Sequence, residues 1–311
     1  MPNIVRPRLA AIDAARMCAV NKKQAAPLYG LFVALIWGLS FLSIKTAVAV
    51  LPPMTLAASR FVIACAVLPF LALVAKQSLG VAWRDVPVLA AGGLVGVTLY
   101  FLGENNGVRL LSASESSLII GAIPVLTVLT ERVFLKTKLG TRAYLGAVAS
   151  FAGVSLIVAR SAGATSSPVG YLYMGVAALS WVAYSFLTRP VSGRYGRITV
   201  TFWQSLFGLA GCVPFALTER AAWRAPGTEV VLNVLYLGIL CSAVGYWLYV
   251  EALETLGAGR ASVFINLIPV VSVIGAFFIL GERLSGLQLA GGAVAIAGVY
   301  LATMQPRRRS T

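Results

Sequence analysis

Ten stretches of roughly 20 mostly apolar residues follow one another with short gaps: 28–50, 53–75, 86–103, 113–135, 141–159, 168–188, 199–217, 230–250, 259–280 and 285–304. A run of that length is what one helix needs to cross the hydrocarbon core of a bilayer. Because lipid offers no partner to a backbone N–H or C=O, each run is predicted to be helical. Together they use nearly the whole chain, so no sizeable soluble domain remains to carry separate chemistry. A content of 59% hydrophobic and 11% charged residues is likewise far outside the soluble range. The fold expected is an all-α integral membrane protein with ten transmembrane helices.

The formal net charge of +15 does not point to nucleic acid. Its cations sit in the gaps between apolar runs and in the two tails, residues 1–26 and 305–311, instead of forming one continuous face. Their distribution sets the orientation. With both termini in the cytoplasm, 18 of the 25 Lys and Arg residues lie on the cytoplasmic side and 5 outside, with Lys45 and Arg60 counted as intramembrane. Such asymmetry marks the inner face. The expected location is a bacterial cytoplasmic (inner) membrane, crossed many times, both termini cytoplasmic. Cys18, Cys65, Cys212 and Cys241 lack paired or metal-type spacing and there is no histidine, so no disulfide, metal or cofactor is expected.

The second half repeats the first at an offset of 144 to 145 residues. "ALIWGLSFLSIK" (34–45) returns as "ALSWVAYSFLTR" (178–189), Pro69-Phe70 as Pro214-Phe215, Pro124 as Pro269, and Gly153-Val154 as Gly298-Val299. Units of five helices, 27–160 and 161–304, place the second upside down relative to the first. Inverted repeats of this kind are the plan of many secondary transporters, whose substrate site lies near the midplane between the units.

The Trp-bearing first helix, "PPMTLAASRF", "GAIPVLTVL" and "NLIPVVSVIGAFFILGERLSGLQLAGGAVAIAGVYL" resemble the two EamA repeats of the drug/metabolite transporter superfamily over about residues 28–304. Among members the chain is most similar to aromatic amino-acid exporters of the YddG type. The resemblance implies export of small metabolites, often amino acids. The family's Gly-Glu stands as Gly281-Glu282 in the second repeat but as Lys136-Thr137 in the first, which leaves a role for Glu282 open.

Candidate substrate-binding residues follow from depth and pairing. Pro124 and Pro269 fall near the middle of their runs, where proline removes a backbone hydrogen bond and exposes polar backbone. Asn266 adds an amide almost one turn before Pro269. Trp37 and Trp181 lie near mid-depth, whereas anchoring tryptophans sit at headgroup level. With Ser40, Tyr100, Tyr184 and Tyr246 they either line a cavity for a flat apolar side chain or pack helices together. Lys45 and Arg60 lie roughly 9 and 12 Å below the outer hairpin at about 1.5 Å per residue. Lys45 is expected to snorkel outward; Arg60 either holds a substrate carboxylate or locks helices through backbone carbonyls. Glu104, with Asn105 and Asn106, closes the outer end of the third helix, where it either attracts an ammonium group or, the favoured reading, is a solvated helix end; no carboxylate falls in the middle of a span. The small residues Gly146, Ser150, Gly153, Gly291, Ala295 and Gly298 are assigned to packing of the fifth helix on the tenth.

An enzyme is not expected, because no clustered nucleophile, base or metal set appears. The expectation is a monomeric exporter of amino acids, aromatic ones favoured, with a small-molecule substrate and the lipid bilayer as partners. A sugar-phosphate or nucleotide-sugar exchanger, and a non-transporting scaffold or lipid-handling component, are the alternatives.

Overall fold

A computed structural model describes residues 5–134, 140–161, 167–191, 193–256, 264 and 267–303. Among them helices run as α1 (Val5–Val48), α2 (Pro53–Val74), α3 (Trp83–Leu110), α4 (Ala113–Phe134), α5 (Thr141–Ser161), α6 (Pro168–Thr188), α7 (Arg197–Thr218), α8 (Thr228–Leu256), α9 (Ile268–Leu280) and α10 (Gly286–Thr303). No strand occurs among the described residues. Seven helices are long and apolar enough to cross a membrane, and Tyr144–Leu156, Ile268–Leu280 and Gly286–Leu301 are shorter apolar helices. Large apolar side chains such as Phe278 (78% exposed), Leu73 and Leu172 stand on the outside, as a surface wetted by lipid allows.

Two of the boundaries that differ from the sequence expectation are those of α1 and α3. Helix α1 continues toward the N-terminus as far as Val5, well before residue 28. Helix α3 does not stop near Gly103 but runs to Leu110. Polar Glu104, Asn105 and Asn106 end the hydropathy run, yet the backbone stays helical because the next turn comes only at Leu111-Ser112. There Ser112 caps the start of α4, accepting from the Glu115 N–H, while the Glu115 carboxylate accepts from the Ser112 N–H, a capping box.

The helices pack in exchanged pairs. Helix α1 lies against α8 and α9, whereas α6 lies against α3 and α4; α2 packs on α7, and α5 on α10. The α5–α10 contact is backbone on backbone: a Cβ at Gly153 would overlap Ala295 and the Gly291 carbonyl, and one at Gly298 would overlap Ser150 and the Gly146 carbonyl. The stripe of small residues therefore does what its spacing suggested.

Matched irregularities interrupt the inner helices. Helix α4 is two segments, Ala113–Ile120 and Ile123–Phe134, with a turn at Gly121-Ala122 and Pro124 as second residue of the second segment. Helix α9 begins at Ile268 with Pro269 likewise second. The proline-related break that the sequence predicts is thus a full discontinuity in α4. Wider π-helical turns occupy Leu94–Leu99 in α3 and Tyr236–Val244 in α8; such turns recur at functional sites.

Candidate functional site

Aromatic rings converge where α1, α3, α6 and α8 meet. The Trp37 ring lies 5.4 Å from Tyr246 and 5.3 Å from Tyr249, centroid to centroid. Tyr246 is 6.1 Å from Trp181, which is 5.2 Å from Tyr100 and 5.4 Å from Tyr184. All are tilted or edge-on, the arrangement that ring quadrupoles favour within 4.5–7 Å. The two tryptophans of the repeated phrase are therefore joined through one ring, that of Tyr246. Trp37 Nε1 donates to the Cys241 carbonyl at 3.0 Å. Gly245 leaves space for its indole, since a Cβ there would stand 2.8 Å from Nε1. Tyr184 donates its hydroxyl to Gln204 Oε1 at 3.0 Å, and Gln204 Nε2 donates to Thr188 Oγ1 at 3.0 Å.

Arg60 reaches the edge of this set from α2. It is 4% exposed. Its Nε donates to Ser242 Oγ at 3.0 Å, its guanidinium carbon lies 4.3 Å from the centre of the Phe101 ring, and its enclosed Nη1 has no hydrogen-bond partner. Phe101 meets Tyr100 edge-on at 4.9 Å. Among the described residues the guanidinium donates to no backbone carbonyl and forms no ion pair within 4.0 Å, and its hydrogen bond to Ser242 Oγ ties α2 to α8 through a side chain instead.

The reading of Glu104 as a solvated helix end is corrected. Glu104 is 5% exposed and Asn105 is fully buried. Tyr100 donates its hydroxyl to Glu104 Oε1 at 2.7 Å, and Asn105 Nδ2 donates to the Pro53 carbonyl at 2.8 Å. A carboxylate thus lies buried near the end of the span Trp83–Leu110 instead of in solvent. The capping box at Ser112-Ala113-Ser114-Glu115 was the signal that could have placed it there, because it sets the helix boundary seven residues further on.

The remaining candidates divide. Pro124 is half-buried and Pro269 buried, and the two discontinuities touch: a Cβ on Gly121 would stand 2.7 Å from Pro269 Cγ. Ile120, the last residue before the α4 break, packs in one cluster with Tyr100 and Trp181. The Ser40 hydroxyl donates to the Trp37 carbonyl at 2.7 Å, which engages it within its own helix. Asn266 lies outside the described residues.

Residues 24–159 and, again, residues 168–304 match the sequence pattern of the EamA-like transporter family. The chain belongs to this family. It is 32% identical to an uncharacterised transporter of Archaeoglobus fulgidus over 279 residues, covering 86% of this chain and 94% of that one. A probable terminal-alkyne amino-acid exporter of Streptantibioticus cattleyicolor is 30% identical, covering 70% of this chain and 73% of that one. A probable amino-acid metabolite efflux pump of Salmonella typhimurium is 25% identical, covering 90% and 95%. One solved crystal structure, 23% identical, superposes with a TM-score of 0.66 over 92% of this chain and 99% of that one, which shows the fold alone. The EamA-like chain is a multi-pass membrane transporter and not an enzyme.

Two further charged groups of this EamA-like transporter hold the ends of helices. Gly281, at φ +68°, ends α9 in the left-handed conformation that glycine adopts without cost. The turn carries the Glu282 carboxylate to the N-terminus of α4, where it accepts from Ala113 N (2.9 Å), Ser114 N (3.1 Å) and Ser114 Oγ (2.7 Å). The role left open for the Gly-Glu pair is therefore a helix cap supplied from another helix; Lys136-Thr137 lie outside the described residues. Lys45 does not snorkel into water. Its Nζ donates to the carbonyls of Val108 (2.9 Å), Arg109 (3.3 Å) and Leu111 (2.5 Å) at the end of α3, where a cation also meets the negative end of the helix dipole. Lys45→Met should lower the detergent-solubilised protein's stability by about 1–3 kcal/mol, the cost of unsatisfied acceptors, read as a lower Tm, with the order of preferred substrates unchanged. A changed order at unchanged Tm would instead put Lys45 in the transport site.

Proposed function

We propose that this transporter exports amino acids, aromatic ones by preference, by alternating access between two inverted five-helix halves, residues 27–160 and 161–304. It works as a monomer in a cytoplasmic membrane with ten spans and both termini inside, the residues before 27 and after 304 forming basic cytoplasmic tails. The exchange of α1 onto α8 and α9, mirrored by α6 onto α3 and α4, supports the inverted arrangement, as does the succession of two family matches. Reporter fusions at either terminus should give cytoplasmic signals, and a signal from the opposite side would overturn the topology.

The observation that carries the substrate class is the ring of Tyr246 joining Trp37 and Trp181, with the buried, unpartnered Nη1 of Arg60 beside the same set. Trp37, Tyr100, Trp181, Tyr184 and Tyr246 offer flat apolar surface to a planar side chain. Arg60 offers a donor fork to a carboxylate. Pro124 and Pro269 free polar backbone where the helices are interrupted, and Asn266 adds an amide three residues before Pro269 in the sequence. The names of the Streptantibioticus and Salmonella relatives favour the same substrate class. A sugar-phosphate exchanger would need several cations in the cavity, and Lys45 is already engaged by the end of α3.

Arg60→Gln reconstituted in proteoliposomes should lower uptake of subsaturating L-phenylalanine by roughly 10- to 150-fold, the value of a charge-assisted hydrogen bond. L-Phenylalaninamide, which lacks the carboxylate, should be moved poorly by the parent and be little affected by the change. Arg60→Lys keeps the charge without the fork and should fall between. Undiminished L-phenylalanine uptake by a monodisperse Arg60→Gln protein would remove Arg60 as the carboxylate anchor.

A further inference from the structure

Glu104 has no partner among the described residues other than the Tyr100 hydroxyl, although it is 5% exposed and lies within the span Trp83–Leu110. Ionisable groups at such a depth are costly and are found where they meet a substrate, an ion or one another. Its surroundings are specific. The hydroxyl of Tyr100 fixes Oε1 at 2.7 Å, and the ring of Tyr100 faces Trp181 at 5.2 Å. The neighbouring residue, Phe101, carries the guanidinium of Arg60 over its ring at 4.3 Å. Two consecutive residues of α3 thus place a carboxylate and a guanidinium on the border of one aromatic set. These opposite charges nevertheless form no ion pair within 4.0 Å, Glu104 Oε2 accepts no hydrogen bond from any described residue, and Arg60 Nη1 donates none.

We propose that Glu104 holds the ammonium group of the substrate while Arg60 holds its carboxylate, so that the site takes a zwitterion by both ends. This deepens the amino-acid reading above and rests on it. An α-amino acid carries its two charges on one carbon and its neighbour, so one ligand answers both buried groups. A ligand with a single charge leaves the other group buried without a partner, and sites that leave such a group unpaired discriminate against that ligand. Tyr100 is a positioning residue for the carboxylate: it donates to one oxygen and leaves the other free.

The test uses the full chain in proteoliposomes with two probes of the same side chain, L-phenylalanine and 3-phenylpropionate, which lacks only the ammonium group. The parent should prefer L-phenylalanine strongly. Glu104→Gln should lower L-phenylalanine uptake by roughly 10- to 150-fold while 3-phenylpropionate uptake is kept or raised, so that the ratio collapses toward one. Retained uptake of the second probe reports that the variant is folded. Tyr100→Phe should shift the ratio in the same direction by less, and it decides the matter if Glu104→Gln is not recovered as folded protein. An unchanged ratio in a parent that does move L-phenylalanine would overturn the ammonium site and leave the amino-acid reading standing. Loss of response to a pH gradient with the ratio intact would make Glu104 a proton carrier and overturn it equally. A parent that moves neither probe would remove both readings.

Discussion

A polar group without a partner in hydrocarbon costs several kcal/mol, and this requirement decides where α8 can stand. Its π-helical turn, Tyr236–Val244, exchanges hydrogen bonds with two helices of the other half. Trp37 Nε1 donates to the Cys241 carbonyl, the Tyr236 hydroxyl donates to the Ile36 carbonyl at 2.6 Å, and Arg60 Nε donates to Ser242 Oγ. Shifting α8 by one residue along α1 would leave an indole, a phenol and a guanidinium unsatisfied together. The same register brings Tyr246 between Trp37 and Trp181. Site geometry and helix packing are therefore one arrangement, with the wider turn giving α8 the room to make both.

The sequence repeat, matched twice by the family pattern, fails at the charges. At the repeat offset Arg60 corresponds to Ser205 and Glu104 to Tyr249. Both buried charges thus belong to the first half, while the second contributes a hydroxyl and a ring. A site built this way has a polar end and an aromatic end. A directional substrate fits that polarity, whereas a symmetric apolar one gains nothing from it.

Much of this was legible in the sequence because it depends on local chemistry. Apolar runs of spanning length give helices whatever they pack against, and the repeat of Trp37 as Trp181 marks equivalent positions in the two halves. Pro124 and Pro269 announce interruptions because a missing N–H acts wherever the residue sits. What depends on a partner far along the chain was not legible. The Glu104 carboxylate looks solvated by hydropathy until the capping box at Ser112 extends α3 past it. Glu282 finds its partners 168 and 169 residues away, and Lys45 finds carbonyls 63 to 66 residues away. Nor does any residue type announce the π-helical turns of α3 and α8.

The account places the substrate's side chain against Tyr246 between the two tryptophans, and heavy-atom labelling of the ligand tests that position most directly. In crystals of the full chain grown with L-4-bromophenylalanine, an anomalous bromine peak should lie within contact distance of Tyr246 and of Trp37 or Trp181. A single peak elsewhere at full occupancy, such as in the apolar groove lined by Pro87, Val88, Phe186 and Leu187, would contradict the aromatic site.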